Sequence, residues 1–282
     1  MKNILFCGFG KLGTDCIKSL RDKGYNIVYI LTHKEYSEDS VDSFAIENNI
    51  EYSYKDTRKD ITYYQHLVNE KQIDFLVSVN YRYIIAKDIF SIPNYSINIH
   101  GSLLPKYRGR TPHVWSIING EEYSGVTCHL IDEGVDTGNI IEQKRVKIEP
   151  DDTGYSLLVK YQLLYPDILL SSLRKLEDNE PSVIQNESMA SYYGKRTPDM
   201  GYIDFYKPAN KIINFVRAQT YPYPGAYYFL TNGKKIIINK ITPVVAENIV
   251  IQSIGVIVEI GNNLYVKCTD SILKLINYEV ID

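Results

Sequence analysis

Three residue types suited to acyl transfer onto an amine share one stretch of the chain: Asn98, His100 and Asp136. An asparagine amide can donate to an oxygen that becomes negative as a carbonyl is attacked, and losing one such donor costs roughly 10²–10³ in rate. A histidine titrates near neutrality and can take a proton from an attacking nitrogen or return one to a leaving nitrogen, an effect worth roughly 10²–10⁴. A carboxylate beside it would orient the ring and favour its charged form, the part open to Asp136 if the loops converge. No thiol or serine nucleophile is required. Each residue also has a plainer reading. A histidine at a strand end is more often a hydrogen-bonded structural group, and Asp136 between Gly134 and Gly138 could stabilise a turn.

The elements that must position these residues read as doubly wound α/β architecture. Ile4 to Cys7, the loop Gly8 to Gly13 and a helix through Cys16, Ile17 and Leu20 form a βα unit, with Asn26 to Leu31 as the second strand. A helix around Val41 to Asn48, a short strand at Ile50 to Tyr54, a helix from Ile61 to Lys71 and an apolar strand at Ile73 to Val79 continue the alternation. Tyr95 to Ile99 is the fifth strand, which places Asn98 and His100 at a carboxyl strand end, where open parallel sheets place ligands. Pro112 to Asn119 reads as a helix, Val126 to Ile131 and Ile140 to Val146 as strands either side of an acidic loop, and Leu157 to Leu176 as a long amphipathic helix. The polar run from Gly194 to Gly201 marks a border. The expected organisation is a Rossmann-like catalytic domain over 1–195 with a mostly parallel sheet, and a small β-rich subdomain, barrel-like or OB-like, over 196–282.

The loop Gly8-Phe9-Gly10-Lys11-Leu12-Gly13 matches GxGxxG, but the fingerprint for a nicotinamide dinucleotide also wants an acid ending the second strand, and that strand ends Leu31-Thr32-His33. A glycine turn that lets strand and helix pack closely is the better reading. A net charge of -3 over 282 residues argues against gripping a polyanion with the whole surface. The four cysteines show no CxxC pair and no histidine spacing of a zinc site, so no metal is expected. The N-terminus runs straight into a strand and no segment has the length of a membrane helix, so the expected location is the cytoplasm, with no membrane partner.

The run NIHGSLLPKYRG at 98–109, followed by HLIDEGVDTG at 129–138, resembles the folate-dependent formyltransferases, a family that includes methionyl-tRNA formyltransferases and the sugar N-formyltransferases. The sequences GKRTPDMGYIDFYKPANKIINFVRA and YPYPGAY further along look like the family's linker and carboxyl subdomain. The resemblance implies that Asn98, His100 and Asp136 are the catalytic trio for formyl transfer from N10-formyltetrahydrofolate to a primary amine. It also implies a folate pocket lined by Arg82, Tyr83 and Ile84 and by Asp132, Glu133, Gly134 and Val135, largely through backbone groups. Both of these segments read as lying at carboxyl strand ends.

Which amine is a question of charge and of one loop. The stretch after the second strand, His33 to Ser40, is acidic, and residues 201–282 carry 8 Lys+Arg against 6 Asp+Glu, unlike the basic surfaces that transfer RNA requires. The segment Lys106 to Pro112 resembles nucleotide-sugar formyltransferases, and Ser102, Lys106, Tyr107, Arg108, Gly109, Arg110 and Thr111 are the expected acceptor contacts, the two arginines meeting a pyrophosphate. Their alternative is a surface loop making internal hydrogen bonds. The expected reaction is N-formylation of a nucleotide-linked amino sugar, a 4-amino-4,6-dideoxyhexose destined for a surface glycan, with no nucleic-acid partner. Methionyl-tRNA formyltransferase and a non-catalytic folate- or nucleotide-binding module are the alternatives. The sequence leaves open whether the chain pairs as a homodimer.

Overall fold

A computed structural model of the chain describes residues 1–35, 37–244 and 249–281. Tyr36, within the acidic stretch after the second strand, lies outside the described residues. In chain order the main elements are β1 (Asn3–Gly8), α1 (Gly10–Asp22), β2 (Asn26–Leu31), α2 (Val41–Glu47), β3 (Tyr52–Ser53), α3 (Ile61–Glu70), β4 (Phe75–Val79), α4 (Lys87–Phe90), β5 (Tyr95–His100), α5 (Pro112–Asn119), β6 (Tyr123–Leu130), β7 (Ile140–Lys147) and α6 (Gly154–Glu177). They are followed by α7 (Ala209–Ala218), β8 (Ala226–Phe229), β9 (Lys235–Pro243), β10 (Ile257–Ile260), β11 (Asn263–Lys267) and β12 (Ile272–Ile281). Two compact units divide the chain, one made of Met1–Gly109, Gly125–Val146 and Lys160–Tyr192, the other of Arg110–Ser124, Lys147–Val159 and Tyr193–Asp282.

The first unit is built on a seven-stranded sheet in the order β3-β2-β1-β4-β5-β6-β7. The strands from β1 to β5 are parallel, and β6 runs antiparallel to β5. The chain winds outward from β1 in both directions, so the gap between β1 and β4 is the switch point of a doubly wound sheet. Burial on both faces is why β1 and β4 are continuous apolar runs. On α1, Leu12, Cys16, Ile17 and Leu20 form the buried stripe that docks on the sheet. Two helices begin on side-chain caps: Ser40 accepts from the Ser43 N–H at the start of α2, and Asp60 from the Tyr63 N–H at the start of α3.

The glycine loop serves close packing. A Cβ at Gly13 would stand 3.2 Å from the Gly8 carbonyl carbon and 3.0 Å from Val41, so α1 approaches β1 only because this position lacks a side chain. Burial raises the Glu35 carboxyl, and the N–H of Gly10, where a pyrophosphate would sit in a dinucleotide fold, pulls it partly back.

The second unit centres on a five-stranded sheet in the order β8-β9-β12-β11-β10, antiparallel at every pairing. Ile212 and Val216 of α7, four residues apart, bury in one cluster with Ile236, Ile238, Val266 and Leu273 of that sheet. Each such side chain contributes about 1.5–3 kcal/mol on burial. The fold class read from the sequence, a mostly parallel α/β sheet followed by a β-rich unit, is the one observed.

Candidate active site

Alternation along β5 sorts its residues by face. Ile97 and Ile99 point into the core, while Asn98 and His100, two residues apart, share the other face. The antiparallel neighbour adds a further group, because the register pairs Asn98 with His129 of β6. Asp136 comes from the loop between β6 and β7 and lies between the two rings: its Oδ2 is 3.5 Å from His100 Nδ1 and its Oδ1 is 3.6 Å from His129 Nε2. The structure therefore brings together the three residues read from the sequence and adds His129, which sits in the second motif but carries no sequence signal of a role.

The hydrogen bonds fix which nitrogen does what. His100 Nε2 lies 2.8 Å from the backbone oxygen of Tyr107, which can only accept, so Nε2 carries a proton. In the neutral ring Nδ1 is then the basic atom, and it faces Asp136. His129 Nδ1 donates to the oxygen of Leu130 at 2.7 Å, and in the neutral ring its Nε2 accepts from the Asn98 amide at 3.2 Å. One N–H of Asn98 is thereby held, and the other can serve an acyl oxygen.

Burial holds the His100 imidazolium down more than Asp136 and the Tyr107 carbonyl raise it, so the ring titrates below the ordinary histidine range. Asp136 does favour the charged form, as expected from sequence, but in so buried a position desolvation outweighs it. Asp136 behaves in the opposite sense. Burial alone would raise it, but His100, His129 and the Gly109 N–H at 2.8 Å together hold its carboxyl well below the usual carboxylate range. The site at neutral pH is thus a neutral base beside a fixed negative charge.

The loop Gly101 to Gly109 is scaffolding for this arrangement. Ser102 Oγ donates to the Lys106 oxygen at 2.6 Å, Thr127 Oγ1 donates to the Ser102 oxygen and accepts from the Leu104 N–H, and Gln143 Nε2 holds the Leu104 oxygen. These bonds aim the Tyr107 carbonyl at His100. They also revise the acceptor contacts expected from sequence. Ser102 and Tyr107 are buried, and Gly109 gives its N–H to Asp136. Arg108 is 0% exposed and its guanidinium donates to Gln185, Glu187 and Tyr192, so it is no clamp for a phosphate. The loop reads as solvated because its partners come from a distant part of the chain. Lys106 and Arg110 are exposed. Thr111 caps α5 in the left-handed region at φ 52, and its hydroxyl donates to the Arg110 oxygen.

One ion pair joins the second segment expected to line a folate to the neighbourhood of the first. Asp132 follows the carboxyl end of β6, as read from sequence, and β6 runs antiparallel to β5. Ile131 and Tyr81 pack against one apolar cluster, the one that holds Ile85. Lys87, just beyond the Arg82 to Ile84 segment, bridges to Glu133 at 2.5 Å. Asp132 closes its own loop, accepting from the Gly134 N–H and the Thr137 hydroxyl. Ile84 and Val135 remain exposed at 62% and 51%, apolar surface beside backbone polar groups, which suits a flat heterocycle with a hydrogen-bonding edge. Arg82 lies over Phe9, 3.9 Å from the ring centroid, its backbone N–H donating to His33 Nε2, and Tyr83 packs edge-on to the His33 ring at 4.6 Å.

Fold and site together are those of a doubly wound α/β protein in which a buried histidine, a carboxylate and a side-chain amide gather beside one strand of the sheet. Residues 1–173 match the family model "Formyl transferase" and residues 195–280 match "Formyl transferase, C-terminal domain". The chain belongs to the formyl transferase family, and its chemistry is formyl transfer. Among curated relatives it is 37% identical over 252 residues to the bifunctional polymyxin resistance protein ArnA of Wigglesworthia glossinidia brevipalpis, covering 85% of this chain and 38% of that protein's length. It is 30% identical over 287 residues to the methionyl-tRNA formyltransferase of Caldanaerobacter subterraneus subsp. tengcongensis, covering 98% and 91%. Among solved structures it is similar to WlaRD, a sugar 3N-formyl transferase in the presence of dTDP and 5-N-formyl-THF, at 25% identity and a TM-score of 0.73, covering 98% and 97%. The fold is also that of an N-formyltransferase from Helicobacter canadensis, with a TM-score of 0.76 at 21% identity, covering 98% and 99%.

Proposed function

We propose that the chain moves the formyl group of N10-formyltetrahydrofolate to the primary amine of a nucleotide-linked amino sugar, a 4-amino-4,6-dideoxyhexose used in a surface glycan. The observation that carries the reaction is the pairing of a neutral His100 with an ionised Asp136 beside the Asn98 amide. As the amine attacks the formyl carbon, the second Asn98 N–H stabilises the oxygen that gains charge, and His100 Nδ1 takes the proton that the nitrogen sheds. Asp136 Oδ2 stabilises the imidazolium so formed, and the same proton is then available to the departing folate nitrogen. Arg82, Tyr83, Ile84 and Asp132 to Val135 hold the donor, chiefly through backbone groups and the apolar surface of Ile84 and Val135.

The sugar acceptor is supported by the likeness to a sugar formyl transferase over nearly the whole of both chains, and by the likeness to ArnA, of which this chain matches 38%. Lys106 is the exposed cation of the 102–109 loop, and we assign it to a pyrophosphate. A second reading, formylation of methionyl-tRNA, is favoured by the relative of that activity matched over 91% of its length. Against it stand the acidic 33–40 stretch and the near balance of charge in residues 201–282. Purified protein incubated with 10-formyltetrahydrofolate and a panel of UDP-, GDP- and dTDP-linked 3-amino and 4-amino sugars, with charged initiator tRNA as a further arm, decides between them. Formylated 4-amino sugar is the expected product, and a formylated 3-amino sugar alone would move the amine by one ring carbon. Turnover with the tRNA alone selects the second reading, and turnover with nothing rejects both.

A further inference from the structure

Gln185 lies in the segment after α6, far from the trio in sequence, yet its amide touches the loop that carries Asp136. Its Nε2 donates to the backbone oxygen of Asp136 at 2.9 Å and to that of Gly138 at 2.7 Å. Its Oε1 accepts from Arg108 Nη2 at 2.8 Å and from Nε at 3.2 Å. A guanidinium has only donors, so Arg108 dictates that the amide oxygen turns toward it and the amide hydrogens turn toward the loop. The remaining Arg108 donors are absorbed by Glu187, at 2.9 and 2.6 Å, and by the Tyr192 hydroxyl at 2.5 Å. A flipped amide would set donor against donor on one side and acceptor against acceptor on the other.

The loop needs such a hold. Asp136 has φ 57, in the left-handed region, where a non-glycine residue persists when its surroundings over-determine it. Its side chain meets His100 of β5, His129 of β6 and the Gly109 N–H. The buried Tyr165 of α6 also lies close enough to feel its charge. Moving the backbone at residue 136 would change all these distances at once.

We propose that Gln185, held in orientation by Arg108, is a positioning residue for formyl transfer, a strap that pins the backbone of the Asp136 loop at residues 136 and 138 so that the carboxylate stays between His100 and His129. The assignment rests on the formyl-transfer reading of the trio, and its test keeps the two apart. Gln185→Ala removes the strap. Gln185→Glu keeps the volume and the Arg108 partner but loses the amide donors, and circular dichroism of both variants checks that they fold. For both variants kcat is expected to fall about 10- to 100-fold, the scale of a small misplacement of a reacting group, with KM for donor and amine within about twofold of wild type. An NMR titration of the His100 ring needs no turnover: in Gln185→Ala its midpoint should move down as Asp136 drifts away. Folded variants with wild-type kcat and a wild-type His100 midpoint overturn the strap, as does a loss confined to KM, which would mark Gln185 as a substrate contact. If wild type itself turns over no amine, the formyl-transfer reading fails while the His100 titration still decides the strap.

Discussion

At the residue scale the site turns on His100, whose basic nitrogen is Nδ1 and whose charged form is disfavoured by burial. The acid limb of kcat/KM should therefore lie below about 6.5, the ordinary histidine value, because the free enzyme must hold His100 neutral to accept a proton. Asp136→Asn takes away the charge that raises His100, so the limb should move further down while kcat falls roughly 10²–10⁴. Steady-state pH-rate profiles of the two proteins check both. A limb that stays in place on Asp136→Asn refutes the pairing. The same shifts act on stability. Both groups have depressed folded-state values, so their contributions are present above the unfolded values and are lost as pH falls through the folded ones. Below about pH 3.9, the ordinary aspartate value, wild type goes on losing an Asp136 contribution that Asp136→Asn does not have. The stability gap between the two proteins, read by denaturant unfolding, should narrow there as acid is added.

At the element scale the antiparallel β6 decides most of the geometry. Its register sets His129 opposite Asn98, and Thr127 opposite His100, where it ties down the loop that follows β5. The βα alternation along the first half of the chain is legible in sequence because burial on both faces leaves an apolar signature on each strand. Strand direction and register leave none, so His129 carries no signal until β6 is laid beside β5. Arg108 shows the same limit from the other side: in a polar glycine-bearing loop it reads as exposed, and only the arrival of Gln185 and Glu187 buries it. The trio itself is legible through the family resemblance of its two motifs, since residue type alone leaves a structural histidine and a turn aspartate as plain alternatives. Gly138 gives this scale its test. A Cβ there would lie 1.8 Å from the Leu130 oxygen, a backbone atom that cannot swing aside. Gly138→Ala should cost about 1–3 kcal/mol in denaturant unfolding, the range of an overpacked core, and lower kcat with it by shifting the Asp136 loop. An alanine variant with unchanged stability and rate would show that the loop relaxes freely.

At the scale of the whole molecule, the proposed assignment makes donor binding separable from catalysis. The Arg82 to Ile84 and Asp132 to Val135 segments should bind a formyl folate whether or not the trio is intact, so folinic acid should raise the melting temperature of wild type and of His100→Asn alike. At a concentration about 100 times Kd the stabilisation is about 2.7 kcal/mol. A shift seen in wild type but absent from His100→Asn would mean that the donor is held by the catalytic ring and not by those two segments.

The buried carboxylate between two rings has a consequence for traffic through the site. With His100 neutral, the Asp136 carboxylate is a negative charge in surroundings that screen it poorly. An amine in water arrives as a cation and is drawn to that charge, whereas the formamide it becomes is electrically neutral and is not. Under the amine-acceptor reading, substrate is thus favoured over product by valence alone, and the placement of Asp136 sets the direction of release.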